Sequence, residues 1–147
     1  MAMQLTRAGE YAVRSLVYLA RQETDARIMA SEVATAQDIP INFVRKILES
    51  LAKTGLVKSY RGAGGGFTLG RKAHEITMRE VIEAVEGPFS MNECLSPGGC
   101  DQQATCPVTR VWSEVQQAVE SILDSYNLDQ IARGHHAGQP GKTAMND

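Results

Sequence analysis

The chain has 147 residues, 43% of them hydrophobic and 22% charged, which suits about one domain carrying one or two extensions. No apolar run approaches the ~18–20 residues needed to span a bilayer, and the Arg- and Glu-interrupted start MAMQLTRAGEYAVRSLVYLA offers no signal-peptide core; a cytoplasmic protein without a membrane partner is expected. The net charge of −2 hides an asymmetry, eleven bases against six acids over residues 1–73 and four against eleven over 74–147, so the first half can face a polyanion.

Tyr11, Ala12, Leu16, Leu19 and Ala20, widened by Val13 and Val17, recur with a helical period and predict a helix over 6–22. Ser31 is a candidate N-cap for a short helix, Glu32 to Gln37. After a turn at Asp38-Ile39, Pro40 suits the early turn of a third helix. Its apolar set is Phe43, Val44, Ile47, Leu48 and Leu51, and Gly55 is placed to end it as the C′ glycine. The period then changes. Leu56–Tyr60 and Phe67–Leu69 read as two strands joined by the glycine-rich turn Arg61–Gly66.

Thr77-Met78-Arg79-Glu80 is a capping box, with Ile76 and Val81 as its staple, and opens a short helix that stops at Gly87-Pro88. A broken stretch, MNECLSPGGCDQQATCPVTR, follows. From Pro107 a long helix carries Val108, Val111, Trp112, Val115, Val119, Ile122, Leu123 and Tyr126 on one side. About 19 helical residues extend roughly 28 Å, longer than a small domain needs, so this face is expected to pair with a second copy. The tail from about Gly134 is poor in apolar residues and is expected to be disordered. Two phosphate-binding motifs fail: GAGGGF is followed by strand, and Gly141-Lys142-Thr143 lacks its first glycine at His136.

Helix, short helix, turn, helix and hairpin is the order of a winged helix-turn-helix. Asn42, Arg45, Lys46 and Glu49 then face outward from the recognition helix, where Arg suits guanine and Asn adenine. Arg61, with Gly62 and Gly64, would form a wing that enters a narrow minor groove. The fold class expected is mainly α with a small β-hairpin wing, plus a long dimerisation helix.

Cys94, Cys100 and Cys106 are the only cysteines, and five residues separate each from the next. An odd count without a signal segment argues for a reducing compartment. Even spacing in a polar loop is not core chemistry. Structural zinc sites usually use tighter C-x2–4-C knuckles; the wider gaps suit an iron–sulfur cluster, whose protein ligands are chiefly thiolates. Cys106 is expected near the N-cap of the long helix, where the thiolate is favoured. Three thiolates leave one position for a carboxylate, a histidine or an exogenous group.

In MQLTRAGEYAVRSLVYLA, IPINFVRKILESLAKTGLV, the wing YRGAGGGFTL, ITMREVIEAVEG and the cysteine triplet, residues 3–133 resemble the IscR/NsrR/RirA family of bacterial winged-helix regulators. The resemblance implies a homodimer formed by the long helix, with the cluster near the subunit boundary. Members that sense cluster supply carry a histidine three residues after the last cysteine; here that residue is Thr109. The nitric-oxide- and redox-sensing branches can use an acidic residue near the N-terminus, which places Glu10 as the fourth ligand, with His74, Glu93 and Asp101 behind it and His135 and His136 as poorer candidates.

The expectation is therefore a DNA-binding regulator, a repressor and not an enzyme, acting on a double-stranded operator. A 2Fe–2S or 4Fe–4S cluster that senses nitric oxide, redox state or iron status would gate it. Its parts would be a winged domain over 1–88, a cysteine loop over 89–106, a dimerisation helix over 107–133 built on Val111, Trp112, Val115, Val119 and Ile122, and a tail over 134–147. An iron–sulfur or thiol redox protein would not need the basic half. A zinc-stabilised DNA-binding protein would be colourless.

Overall fold

Helix α1, Arg7–Ala20, is the axis of the fold, because Ala12, Leu16 and Leu19 sink into the core along one face. Thr6 caps it, accepting from the Gly9 amide at 3.1 Å. The computed structural model describes residues 5–134. Around α1 stand α2 (Ala30–Gln37), α3 (Ile41–Lys53) and the antiparallel hairpin of β1 (Val57–Tyr60) and β2 (Gly66–Leu69), then α4 (Met78–Glu86), α5 (Thr109–Ser125) and α6 (Leu128–Ala132). Short 3-10 turns lie at Ala73–Glu75 and Glu93–Leu95. Val44, Ile47, Leu48 and Leu51 of α3 meet Val33 of α2, Val57 of β1 and Val81 of α4 in a single apolar cluster. No helix among the described residues is long and apolar enough to cross a membrane.

Several element boundaries differ from expectation. Helix α2 begins at Ala30 and its N-cap is Met29, not Ser31; the Met29 amide donates to the Glu32 carboxylate at 2.8 Å, the carboxylate half of a capping box without the hydroxyl half. Pro40 is the N-cap of α3 rather than a residue of its first turn, with extended ψ of 130°. Phe43, one of the apolar set of this helix, is 51% exposed and meets the ring of Tyr11 edge-on. The capping box at Thr77 and Glu80 and the positive φ of Gly55 are as expected.

The largest difference lies near the C-terminal side. The expected helix over 107–133 is two helices. Helix α5 starts at Thr109, because Pro107 and Val108 form a turn ahead of it, and it ends where Tyr126 turns extended. The chain then pairs with the segment before α4: Met78 N–H donates to Tyr126 O and Leu128 N–H to Ile76 O, both at 2.9 Å. Asn127 caps α6 through a second capping box with Gln130, and Leu128 is wholly buried. Residues 128–132 thus pack against α1 as part of the winged domain. Helix α5 itself contains no buried residue; Val111 and Ile122 are 54% and 59% exposed. Beyond Gly134 the expected tail, His135 and His136 lie outside the described residues.

Arg71, just beyond β2, donates to Glu80 at 2.8 Å and ties the base of the hairpin to α4. Partial burial works against ionising Glu80, but the Arg71 guanidinium and the Thr77 amide outweigh it and hold the carboxyl below its usual range. Such a group contributes stability that is complete above its unfolded pKa and is lost as pH falls through the lowered folded value. The thermal midpoint of Glu80→Gln should therefore trail that of the parent near neutral pH, and the gap should close on acidification from about pH 7 to about pH 3. A gap that stays constant over that range would show that the pair contributes nothing.

Candidate DNA-binding face and cysteine loop

Helices α2 and α3 form a helix-turn-helix whose turn is made by Asp38 in the left-handed region, φ 52°, and by buried Ile39. Arg14 of α1 donates to the Gln37 carbonyl at the end of α2, fixing the turn from behind. With four apolar residues of α3 turned inward, Asn42, Arg45, Lys46 and Glu49 are all exposed, as the helical period requires. The hairpin stands beside them. A cleft of about 290 Å³ runs between Arg45 and Glu49 of α3, Met29–Ser31 at the start of α2, and Tyr60, Gly62 and Gly65–Phe67 of the hairpin. The outward face of α3 and the hairpin therefore border one concave surface.

The hairpin tip needs its glycines. Gly62 and Gly64 have φ of 80° and 74°, where a side chain is strained, and Arg61 is exposed beside them. Sequence reasoning missed two residues here. Arg27, from the stretch before α2, lies over the Tyr60 ring and bonds the Gly64 carbonyl. Its partners are too distant in sequence for any local pattern to reveal. Phe43 was recognised only as one of the apolar set, although it stands on the exposed face of α3.

The second feature is the loop between α4 and α5. Its start is held by Phe89 N–H donating to Glu83 at 3.1 Å and by Met91 N–H donating to Gln116 at 3.1 Å. Cys94 lies half-buried in the Glu93–Leu95 turn, Cys100 is exposed, and Cys106 is half-buried ahead of α5. Between them the backbone folds tightly on itself: a Cβ on Gly99 would sit 2.6 Å from Glu93 O and 2.8 Å from Cys94 O. Beside the loop a cleft of about 490 Å³ is lined by Leu95, Cys106, Thr109, Arg110 and Ser113, among others.

Cys106 has the most developed setting. Helix α5 starts later than expected, its Thr109 N–H donating to the Cys106 carbonyl at 3.2 Å, yet the neighbouring Val108 N–H and Thr109 hydroxyl outweigh partial burial and hold the Cys106 thiol below its ordinary range. The Thr109 Oγ1 is buried and has no hydrogen-bond partner. A buried hydroxyl without an acceptor is costly.

The three thiols share one loop but are not gathered at one point: among the described residues no group of three His, Cys, Asp or Glu side chains is close enough to hold a metal ion. Glu10 lies in the first turn of α1, 56% exposed, with Arg14 at 3.7 Å as its ion-pair partner. His74, Glu93 and Asp101 are exposed. The donor set nonetheless fits an iron–sulfur group in kind, being three soft thiols, one of them with a lowered pKa, and it falls one protein donor short.

A family described as Rrf2, iron-dependent transcriptional regulator, matches residues 5–134. An HTH-type transcriptional regulator IscR from Xenorhabdus nematophila is 30% identical over 131 residues, covering 89% of this chain and 80% of that protein. Among solved structures, CymR, the global cysteine regulator of B. subtilis, superposes with a TM-score of 0.76 at 27% identity, covering 92% of this chain and all of that one. IscR from T. potens superposes at 0.73 with 25% identity, covering 96% and 95%. The order of helices and wing, the single surface they border and these likenesses agree: the chain belongs to the Rrf2 family of winged-helix transcriptional regulators.

Proposed function

We propose that this regulator is a homodimeric repressor whose operator affinity is gated by an iron–sulfur cluster held by Cys94, Cys100 and Cys106. The observation that carries the reading is the single segment between α4 and α5 that holds all three free cysteines, with the Cys106 thiol held below its ordinary range by the nearby Val108 N–H and Thr109 hydroxyl. Metal ligation needs the ionised form. When bound, such a cluster supplies a centre that nitric oxide, oxidants or iron shortage can alter. Glu10 is the fourth ligand in this reading, from the partner subunit, since its carboxylate is exposed and held only by a 3.7 Å ion pair. A carboxylate is a harder and weaker ligand for such a group than a thiolate.

The chain's own residues do the rest. Asn42, Arg45, Lys46 and Glu49 enter the major groove from α3, and Arg61 follows a narrow minor groove from the wing, with Gly62 and Gly64 allowing close backbone approach. Val111, Trp112, Val115, Val119 and Ile122 of α5 pack on their twins. The absence of any buried residue in that helix supports this, because an open apolar stripe calls for a partner. A two-fold dimer then matches a two-fold operator. Ligation at the loop biases the dimer between conformations that bind DNA with different affinity.

Each single Cys→Ala variant should lose visible absorbance together with iron and sulfide after anaerobic purification, while its helical circular dichroism persists. Full iron and sulfide in all three would refute the ligand set, and stoichiometric zinc in a colourless protein would replace the cluster. Glu10→Ala should keep a cluster with a shifted spectrum and a changed rate of reaction with nitric oxide.

For DNA, Arg45→Ala should cost about 1–3 kcal/mol at the cognate site and relax preference at one base position. Arg61→Ala should weaken binding chiefly at A·T-rich flanks. Operator titrations at fixed salt check both, and unchanged affinity in the pair would rule out this docking.

Replacing Val115 and Ile122 together with Glu would put unpaired charge into the paired helix face. Sedimentation should then find monomer or unfolded chain, with operator binding lost. A folded monomer of the parent protein at micromolar concentration would exclude the dimer.

A further inference from the structure

The wing tip is a run of glycines, and backbone that free costs entropy to fix. Within the tip, Gly65 N–H donates to Gly62 O at 3.0 Å and closes a turn. From outside the hairpin, Arg27 reaches it. The Arg27 Nη1 donates to the Gly64 carbonyl at 2.9 Å, and its Cζ lies 3.9 Å from the centroid of the Tyr60 ring. Tyr60 precedes Arg61 and Gly64 follows it, so one planar group grips both sides of the exposed arginine. Arg27 is itself anchored. Its neighbour Ile28 exchanges both backbone bonds with Phe67, at 2.9 and 2.8 Å. At Gly66 the two stretches run so close that a Cβ would lie 2.9 Å from Ile28 O.

We infer that Arg27 is a positioning residue for DNA recognition: it clamps the wing tip in the pose that presents Arg61 and the glycine backbone to the duplex. The inference rests on the wing docking proposed above. Arg27 is on the surface, so its contribution passes through the hairpin rather than the core. The task needs a guanidinium, which can stack on Tyr60 with its flat face while its edge donates to Gly64; an ammonium cannot do both. The alternative role for an exposed arginine at this surface, a direct phosphate contact, has a different signature, because each phosphate contact adds to the salt dependence of binding.

Two measurements on the full chain separate these. Without DNA, limited trypsin digestion read by mass spectrometry reports cleavage after Arg61. Arg27→Ala and Arg27→Lys should each speed that cleavage roughly three- to tenfold, as expected for losing an exposed cation–π contact and its hydrogen bond. Tyr60→Leu should do the same, and Tyr60→Phe, which keeps the ring face, should not. With DNA, Arg27→Ala should weaken operator binding in the parent yet add nothing in an Arg61→Ala background. Unchanged cleavage would overturn the clamp, even if operator affinity fell. Losses that add in the Arg61→Ala background, with a shallower salt slope, would overturn it in favour of a phosphate contact. An inert Arg61→Ala would fault the docking, and the cleavage rates would still decide the clamp.

Discussion

One guanidinium ties helix α5 to the winged domain. Arg79 of α4 lies 3.1 Å from Glu83, 3.0 Å from Asp124 and 3.4 Å from Glu120, which joins α4 to the last turns of α5. Glu83 in turn accepts from Phe89 N–H, where the cysteine loop begins. A lone surface ion pair contributes little, but here one partly buried cation serves three carboxylates on two helices, and one of those carboxylates also holds the loop. Helix α4 packs on α1 and α3 as well as α5, and through Glu80 it holds the base of the wing. A rearrangement that shifts the loop or α5 against the DNA-reading part must act on these side chains. That is a physical route for coupling, resting on contiguous contacts rather than on proximity alone.

Much of this fold was legible in the sequence because the relevant signals are local. The helical period of α1 and α3, the glycine after α3, the Thr77–Glu80 box and the change to strand residues at Leu56 each act within one or two turns of chain. What escaped depends on distant partners. The apolar stripe of α5 keeps its period through Tyr126, and only the pairing of residues 126–128 with 76–78 breaks the helix there. A local hint did exist in Asn127-Leu128-Asp129-Gln130, a second capping box. The cap on α2 was misplaced because Met29 has no side-chain acceptor and Glu32 carries the bond instead.

The candidate sites divide the same way. The outward residues of α3 follow from the inward ones, since a helix that buries Val44, Ile47 and Leu48 must expose Arg45 and Lys46. Cysteine spacing marked the loop as chemically special, but spacing cannot say where thiols point in a segment without a repeating geometry. It also could not reveal that Val108 and Thr109, where the turn leads into α5, lower the pKa of Cys106. Arg27 was invisible for a related reason: its role is defined by Tyr60 and Gly64, on a hairpin that sequence places far from it.

Because the chain after Tyr126 returns to pair with the segment before α4, the winged domain closes on itself independently of what is hung between Gly87 and Ser125. No residue of α5 is buried, and the cysteine turn contributes none to the apolar cluster. The excursion is a module suspended between two fixed points. Its loop can lengthen, or its cysteines be exchanged, at little cost to the core, since loop-closure entropy grows only slowly with length. The winged scaffold and the cysteine-bearing excursion it carries are thus separable in their demands on sequence, joined by the side chains at the seam.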